Sequence, residues 1–476
     1  DTVPTLIGSD GVLASYKAAY QFFTNAGDVV LEGYIKNPDG VYRVPRFFRW
    51  DYIANGAQRI AEIAAAPDNV LSFKEGVAET LQVGYLMGSE ILDHPYHHTT
   101  VRTTLTRNLG RCLPEIRDEI VSAFDDVLRL ENDEWKQFTV LPSMMHIVAR
   151  TTNRLFVGLP LCVNREYLSV SIIYTIKVFK RAQILNLFPK FLRPIVGPLM
   201  SPKEKALHDV LKFLGPIISD RLAKDEQLGP QWPDKPNDLI SWLMQDAGSA
   251  RTVRGLARRV LVTNMAAIHT STMAIDNVML DLAAHPEHIA PMREEVERVV
   301  EAEGWTKSAL SNMHKIDSFI RESQRLNGSS NIALNRKVIA KEGFTFSDGT
   351  VIPYGSFLGV SGRPAQHDPA NFDHPEVFDG FRFSRMRGSP GEEGGAPGVF
   401  KLHMITTAPE HLAFGHGSHA CPGRFFAANE LKAMLAHVVL TYDVKLGPEK
   451  VRPTDHTFGQ ARSPDPTAKI WIRKRQ

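Results

Sequence analysis

Apolar positions recur at helical spacing over most of the first two thirds of the chain. The spacing predicts helix over residues 11–36 and over nearly all of 55–310, with a Pro-rich loop at 226–238. The longest run of helical pattern, 251–284, would form one helix about 50 Å long at 1.5 Å per residue. A shorter helix is predicted over 315–328, where a glycine ends the pattern. The pattern therefore predicts a largely helical body.

The apolar period changes in three shorter stretches. Residues 40–50 are rich in β-branched and aromatic side chains, and 329–360 alternates in the manner of strands. The segment 386–400 has too many Gly and Pro residues for regular structure. Helix is predicted again from Pro422 to about Leu440, and paired strands are predicted in the last 35 residues. We therefore expect a mainly α protein with a small β part.

Composition narrows the class of protein. The 476 residues include 55 basic and 53 acidic ones, a net charge of +2, so nothing favours a nucleic-acid partner. The three cysteines, Cys112, Cys162 and Cys421, are too few and too far apart for a disulfide framework, which favours a reducing compartment. No apolar run reaches the roughly 18 residues of a membrane span.

One cysteine lies in the glycine-rich stretch "FGHGSHACPG", residues 414–423. Because a helix is predicted to follow, Cys421 lies at a helix N-terminus, where the dipole favours a thiolate. A thiolate can be a nucleophile, with His419 or His416 as its base, or a metal ligand. A buried structural cysteine is the alternative, and zinc is disfavoured because no second cysteine is near.

The centre of the long helix, 264–275, is apolar or small on nearly every face, which indicates a buried helix. Ala266 and Ala267 leave space beside the backbone. The Thr270 hydroxyl can bond the Ala266 carbonyl one turn back and loosen the helix there. A groove lined by hydroxyls could hold water and pass protons; the alternative is a back-bonded hydroxyl in a packed helix.

Two Glu/Arg pairs share one spacing. "ESQR" places Glu322 and Arg325 one turn apart, flanked by apolar residues, and a buried pair would need further partners. "EVER" places Glu295 and Arg298 in the same way, and we interpret that copy as a solvated surface pair.

The cysteine stretch resembles the haem loop of the cytochrome P450 superfamily, F-x-x-G-x-(R/H)-x-C-x-G. Phe414, Gly417, His419, Cys421 and Gly423 fill every fixed position. The detail "HACPGRFFAANELKAML" is most similar to fungal, membrane-associated members. The resemblance implies that Cys421 is the axial thiolate of haem iron, that Phe414 packs beside the sulfur, and that the glycines let the macrocycle lie against the loop.

Further motifs of the family occur in the right order. The E-x-x-R helix matches Glu322 and Arg325, and the later arginine of that network matches Arg382. The resemblance covers essentially the whole chain. It implies the cytochrome P450 fold, with a long central helix over the haem and the cysteine loop beneath it. We expect a single catalytic domain over residues 1–476, with an N-terminal membrane anchor absent from this chain.

The same resemblance implies contacts to the cofactor, heme b. Its propionates need cations, and by position the candidates are His419, Arg336, and the pair His98 and Arg102.

The oxygen-binding motif of the family aligns with residues 266–271, with two departures. His269 replaces the acid and Ala267 replaces the glycine. The resemblance implies catalytic roles for Thr270, His269 and Ala267. His269 could relay protons, since imidazole titrates near neutral pH, or it could serve a structural role.

By resemblance the protein is a monooxygenase that hydroxylates a small lipophilic substrate with O₂ and electrons from NADPH. The donor would be NADPH-cytochrome P450 reductase, with cytochrome b5 as a possible second partner. The expected setting is fungal secondary metabolism at the cytosolic face of the endoplasmic reticulum membrane, as a monomer with no nucleic-acid partner. The alternatives are a peroxygenase, isomerase or dehydratase that keeps the haem, and a non-catalytic haem-binding protein.

Overall fold

The computed structural model describes residues 3–8, 11–131, 133–387 and 402–475, and most of them are helical. The helices are α1 Val12–Thr24, α2 Ala26–Lys36, α3 Ala57–Ala65, α4 Phe73–Thr80, α5 Val83–Leu86, α6 Glu90–Asp93, α7 Tyr96–Thr100, α8 Thr106–Leu128, α9 Val140–Phe156, α10 Arg165–Leu185, α11 Arg193–Met200, α12 Lys203–Leu228, α13 Leu239–Asp246, α14 Val253–Ala284, α15 Ile289–Glu303, α16 Lys307–Asn312, α17 His314–Leu326, α18 Gly362–Gln366, α19 Arg382–Arg385 and α20 Arg424–Thr441. A π-helical turn, Val101–Leu105, joins α7 to α8.

The strands form small sheets beside this helical body. They are β1 Val41–Arg46, β2 Arg49–Ala54, β3 Leu71–Ser72, β4 Lys136–Thr139, β5 Ile332–Val338, β6 Phe344–Thr345, β7 Val351–Ile352, β8 Phe357–Ser361, β9 Tyr442–Lys445, β10 His456–Phe458, β11 Ala461–Ser463 and β12 Lys469–Lys474. The largest sheet has the order β1-β2-β8-β5-β3, in which β2 and β8 are parallel and the other neighbours antiparallel. The predicted mainly α architecture with a small β part is confirmed.

The long helix α14 is one uninterrupted α-helix at the centre of the main hydrophobic cluster. It begins where the Thr252 hydroxyl accepts a hydrogen bond from the Gly255 N–H at 3.0 Å, an N-cap that satisfies a free donor. It ends just before Pro286, which opens a 3₁₀ turn. Helices α9, α10, α12 and α20 all pack against it, so that its side chains are buried on most faces.

Three predictions about boundaries and burial need correction or restriction. The helix after the cysteine begins at Arg424, two residues later than expected, because Pro422 and Gly423 still belong to the turn. Glu295 is buried and is not part of a surface pair: its carboxylate accepts hydrogen bonds from the N–H groups of Lys315 and Ile316 at the start of α17. The irregular segment predicted at 386–400 falls largely outside the described residues.

In the described part of the chain, no helix combines the length and the apolar character that crossing a bilayer requires.

Candidate functional site

The cysteine loop turns back on itself immediately before α20. The Cys421 N–H donates to the Phe414 carbonyl at 2.8 Å, which closes the loop. Gly415 and Gly417 have φ angles of 70° and 72°, in the left-handed region that favours glycine. A Cβ on Gly417 would also lie 2.7 Å from the Ala64 carbonyl oxygen of α3. The loop is therefore fixed by its own backbone and by contact with α3.

The protein environment by itself does not make Cys421 a thiolate. Burial raises the pKa of the thiol, and the N–H groups of Gly423 and Arg424 and the Arg424 charge offset only part of that rise. The expectation of a lowered pKa from the helix N-terminus is therefore wrong for the thiol alone, because desolvation outweighs the dipole. A bound metal ion would supply the missing stabilisation, since a coordinating thiol is deprotonated outright.

The two histidines of the loop are engaged elsewhere. A hydrogen bond of 2.5 Å joins His419 Nε2 to the Asp68 carboxylate, and one of 3.0 Å joins His416 Nδ1 to the Thr407 hydroxyl. Neither ring is placed as a base for Cys421, which removes the support for a cysteine nucleophile.

One of the predicted propionate partners contacts the cysteine loop directly. The Arg102 guanidinium donates to the Ser418 carbonyl at 3.2 Å, so the π-helical turn after α7 lies against the cysteine loop. His98 lies one turn earlier, and burial together with the Arg102 charge lowers its pKa. The structure thus brings Arg102 to the loop, whereas His98 lies near Arg102 on the preceding turn.

Arg336 on β5 is the most deeply buried of the four predicted propionate partners, with 3% of its surface exposed. Its guanidinium donates to the Asn335 carbonyl at 3.1 Å and lies 5.0 Å from the centroid of the Phe73 ring. The His419 ring also stacks on Phe73, with ring centroids 5.0 Å apart. Arg336, Phe73 and His419 together form the Arg336 cluster. Burial lowers the pKa of Arg336 to about 10, although the charge of Asp68 opposes that shift. Within the described ranges, no carboxylate lies within ion-pair distance of Arg336.

Arg336, Phe73 and His419 line one cavity of about 380 Å³ between α4, β5 and the cysteine loop. Leu334 also lines it and has a φ angle of 51°, at a point where the pairing of β5 with β8 shifts register. A left-handed leucine costs free energy and is typical of functional sites. No turn or glycine pattern around Leu334 in the sequence marks this bulge.

Two residues in the middle of α14 are accessible, although most residues before and after them in the helix are buried. Ala266 and Thr270 are exposed, whereas Ile268 and Ser271 between and beside them are buried. The Thr270 hydroxyl donates to the Ala266 carbonyl at 2.9 Å, as the spacing predicted. Ala267 lies next to this accessible strip and packs against the main core cluster. Ala266 and Thr270 therefore form a short accessible strip on a helix whose other faces are mostly buried.

His269 turns away from Thr270 toward α10. Its ring stacks on the Phe179 ring, with centroids 3.8 Å apart and planes inclined by 27°. Burial lowers the pKa of His269 to about 4, so the ring is neutral at pH 7.

The Glu322 and Arg325 side chains have no exposed surface and form two hydrogen bonds of 2.8 Å with each other. Arg382 donates to Glu322 at 3.2 Å, and Arg325 donates to the carbonyls of Gln366 and Pro375 at 2.7 Å each. The predicted pairing is confirmed, with Arg382 as the third member.

Comparison with known proteins identifies the family. The family model "Cytochrome P450" matches residues 53–470. The chain belongs to the cytochrome P450 family. It is 40% identical over 477 residues to cytochrome P450 monooxygenase 151 of Postia placenta, covering all of this chain and 94% of that protein. It is 34% identical to cytochrome P450 monooxygenase CYP512U6 of Ganoderma lucidum, covering all of this chain and 92% of that protein.

Solved P450 structures share the fold. A retinoic acid-bound cyanobacterial CYP120A1 superposes with a TM-score of 0.69 at 17% identity, covering 99% of each chain. The haem domain of a protein named cytochrome P450DA superposes with a TM-score of 0.71 at 14% identity, covering all of this chain and 98% of that one. The P450 fold expected from the sequence is confirmed, and the chain is an oxidoreductase of the monooxygenase type.

The cofactor of this P450 is haem, and the described residues fit it. Arg336 is a buried cation without a carboxylate partner, as a haem propionate would require. Gly423 has an ordinary φ angle, and a Cβ there would meet only Val101 at 3.6 Å, so no neighbouring protein group accounts for a glycine at this position.

Glu430 on α20 is a buried acid that sequence reasoning missed. The Thr152 hydroxyl of α9 donates to its Oε1 at 2.8 Å, while Oε2 has no partner among the described residues. Burial raises the pKa of Glu430 to about 7, although the hydroxyls of Thr152 and Ser271 oppose the shift. A carboxylate within the apolar run "FFAANELKAML" was the available signal.

Proposed function

We propose that this P450 hydroxylates a small lipophilic substrate, using O₂ and electrons from NADPH that a reductase delivers. The observation that carries the proposal is the accessible strip of Ala266 and Thr270 in the middle of an otherwise buried helix. The strip pairs one hydroxyl with small and apolar neighbours, which suits a substrate with little charge.

Cys421 would hold the iron, and Arg336, His419, Arg102 and His98 would face the haem carboxylates. When bound, a haem with a thiolate ligand supplies the chemistry that cleaves the O–O bond. The cysteine loop fixes the sulfur through the hydrogen bond from the Cys421 N–H to Phe414. The cations would orient and retain the group through charge-assisted hydrogen bonds.

Thr270 would order protons at the reacting centre. Its hydroxyl hydrogen is directed to the Ala266 carbonyl, so its oxygen is free to accept a hydrogen bond from a water molecule in the accessible strip. Ala267 would keep that part of α14 narrow enough for substrate and water to approach.

The test is product formation from a lipophilic panel with NADPH, a fungal reductase and ¹⁸O₂. The proposal predicts one ¹⁸O atom in the product and no turnover without reductase. If peroxide alone gives the same products at a higher rate, or if products form without O₂, the peroxygenase, isomerase or dehydratase reading replaces it. His269 in place of the family's acid is the feature that favours that second reading.

We also propose that the protein lies on a membrane surface, in keeping with the endoplasmic reticulum setting expected from the resemblance. Phe191, Ile195 and Leu199 recur every four residues along α11 and its approach, and 76%, 64% and 83% of their surfaces are exposed. Such a stripe suits shallow insertion into a lipid surface. Co-flotation with phosphatidylcholine vesicles should fall when all three are changed to Ser and should be unchanged when exposed Val377 is changed to Ser.

The donor would be NADPH-cytochrome P450 reductase, with cytochrome b5 as a second donor, and the protein would act as a monomer in fungal secondary metabolism.

A further inference from the structure

The contact between Phe179 and His269 is the closest ring pair among the described residues, with centroids 3.8 Å apart. It joins the centre of α14 to α10, two helices that pack along each other. Ring stacks of this kind contribute attraction beyond the area that they bury.

His269 makes no hydrogen bond within the described residues, and burial is the sole cause of its lowered pKa. In the part of the chain that the structure describes, no charged neighbour holds a proton on the ring, and no acceptor directs its N–H. Both facts agree with a ring held by stacking.

His269 also has a defined place beside the accessible strip. At 3.6 residues per turn, its side chain is directed about 60° around the helix from Ala266 and about 100° from Thr270. It therefore lies at the rim of the strip, on the side where α10 covers α14, and Phe179 closes that rim.

We propose that His269 is a positioning residue: by stacking on Phe179 it fastens α10 to the rim of the accessible strip, and it thereby sets where the substrate lies relative to Thr270. The proposal rests on the proposed function. It assigns to the residue in the family's acid position a packing role instead of proton transfer.

The variants distinguish a packing role of the His269 ring from a role in proton transfer. His269→Phe keeps an aromatic ring and carries no proton, His269→Ala removes the ring, and Phe179→Ala removes its partner. Exposed His146 changed to Phe is the matched control. Product distribution and product formed per NADPH consumed would be measured with lauric acid and progesterone as probes.

We expect His269→Phe and His146→Phe to keep the wild-type product pattern and product yield per NADPH. His269→Ala and Phe179→Ala should shift the product pattern in the same direction and weaken the substrate-induced spectral change between about 2-fold and 10-fold. The double variant should be no worse than either single one, because both remove one contact. The proposal is overturned if His269→Phe loses yield per NADPH while Phe179→Ala behaves as wild type.

Thermal unfolding keeps the test independent of turnover. If neither probe is oxidised by the wild type, the proposed function fails for these substrates. The stack is still confirmed by equal losses of Tm in His269→Ala and Phe179→Ala with His269→Phe near wild type. It is overturned by a Tm in His269→Phe as low as in His269→Ala.

Discussion

The Glu322 network and the Arg336 cluster are both buried and charged, but they are satisfied in different ways. Glu322 and Arg325 have no exposed side-chain surface, and each finds its counter-charge and further hydrogen bonds within the chain. Arg336 is almost as buried, yet its partners are one backbone carbonyl and the face of Phe73. The nearby Asp68 carboxylate is engaged by His419.

This difference in charge pairing distinguishes residues that stabilise the fold from residues that are available to bind a cofactor. A buried charge is tolerated when partners repay its desolvation. The Glu322 network meets that condition with protein groups alone, so it serves the fold. Arg336 does not meet it, which indicates an anion that the chain itself does not supply. We therefore assign the Glu322 network to the fold, and the role of Arg336 in cofactor binding is the prediction that the variants below test.

The largest effect should come from breaking the closed network. Arg325→Ala leaves the Glu322 carboxylate without its bidentate partner, and we expect a loss of about 3–5 kcal/mol in the free energy of unfolding. Urea denaturation measures it. Lys36→Ala, which breaks the exposed Lys36–Glu32 pair of 2.6 Å, is the control and should cost at most about 0.5 kcal/mol. Equal losses in the two variants would contradict the account.

Glu430 is intermediate between the fully paired Glu322 network and the unpaired Arg336, since one of its carboxylate oxygens is hydrogen-bonded and the other is not. Its pKa is raised from 4.5 to about 7 in the folded protein. Between those pH values the unfolded chain loses the proton while the folded one keeps it, so stability should fall as pH rises and then level off above pH 7. The total is about 3 kcal/mol at 1.36 kcal/mol per pKa unit. Glu430→Gln should remove this slope from chemical denaturation at pH 4.5–8, and an unchanged slope would refute the assignment.

Removing the unpaired cation should affect the cofactor and leave the fold intact. Arg336→Gln should leave the apoprotein at least as stable as wild type, because an uncompensated buried charge is lost. Haem should dissociate about 10-fold faster or more, the size of a charge-assisted hydrogen bond. Transfer of haem to a scavenger protein measures the rate. Lys337→Gln is the control, since that ammonium pairs with Glu79 at 2.9 Å. An unfolded Arg336→Gln apoprotein would mean that Arg336 serves the fold.

The most local of the predicted effects separates two glycines of one loop. Gly417→Ala meets both a φ angle of 72° and the Ala64 carbonyl, so the apoprotein should lose about 1–3 kcal/mol. Gly423→Ala meets neither and should leave apoprotein stability unchanged while weakening haem binding. Parallel melting curves of the two apoproteins and haem titrations check this. The reverse order of stabilities would contradict the loop geometry.

The helical body and the Glu322–Arg325 pair could be predicted from the sequence, because their contacts are local or belong to a motif. The apolar period gave nearly the right ends for α14, and the E-x-x-R spacing identified a buried pair one turn apart. The domain boundaries of 1–476 and the individual roles of the motif residues remain predictions.

What the sequence did not disclose depends on distant partners. His269 is 90 residues from Phe179, and Glu430 is 278 residues from Thr152, so neither contact has a local pattern. The sequence predicts Glu295 in a surface pair because its actual partners, backbone N–H groups of the next helix but one, leave no local pattern. The pKa of Cys421 is raised and not lowered as the helix N-terminus predicts, because burial, which exceeds the dipole effect, is a property of the packed structure.

The most direct test of the central claim is the carbon-monoxide difference spectrum of the reduced protein, recorded for wild type and for Cys421→Ala reconstituted with haem. If Cys421 is the iron ligand and Arg336 and its neighbours hold the propionates, the wild type gives the absorption band of a thiolate-ligated haem. The variant should lose that band while circular dichroism shows the same helix content. An unchanged band in a folded Cys421→Ala protein would contradict the account.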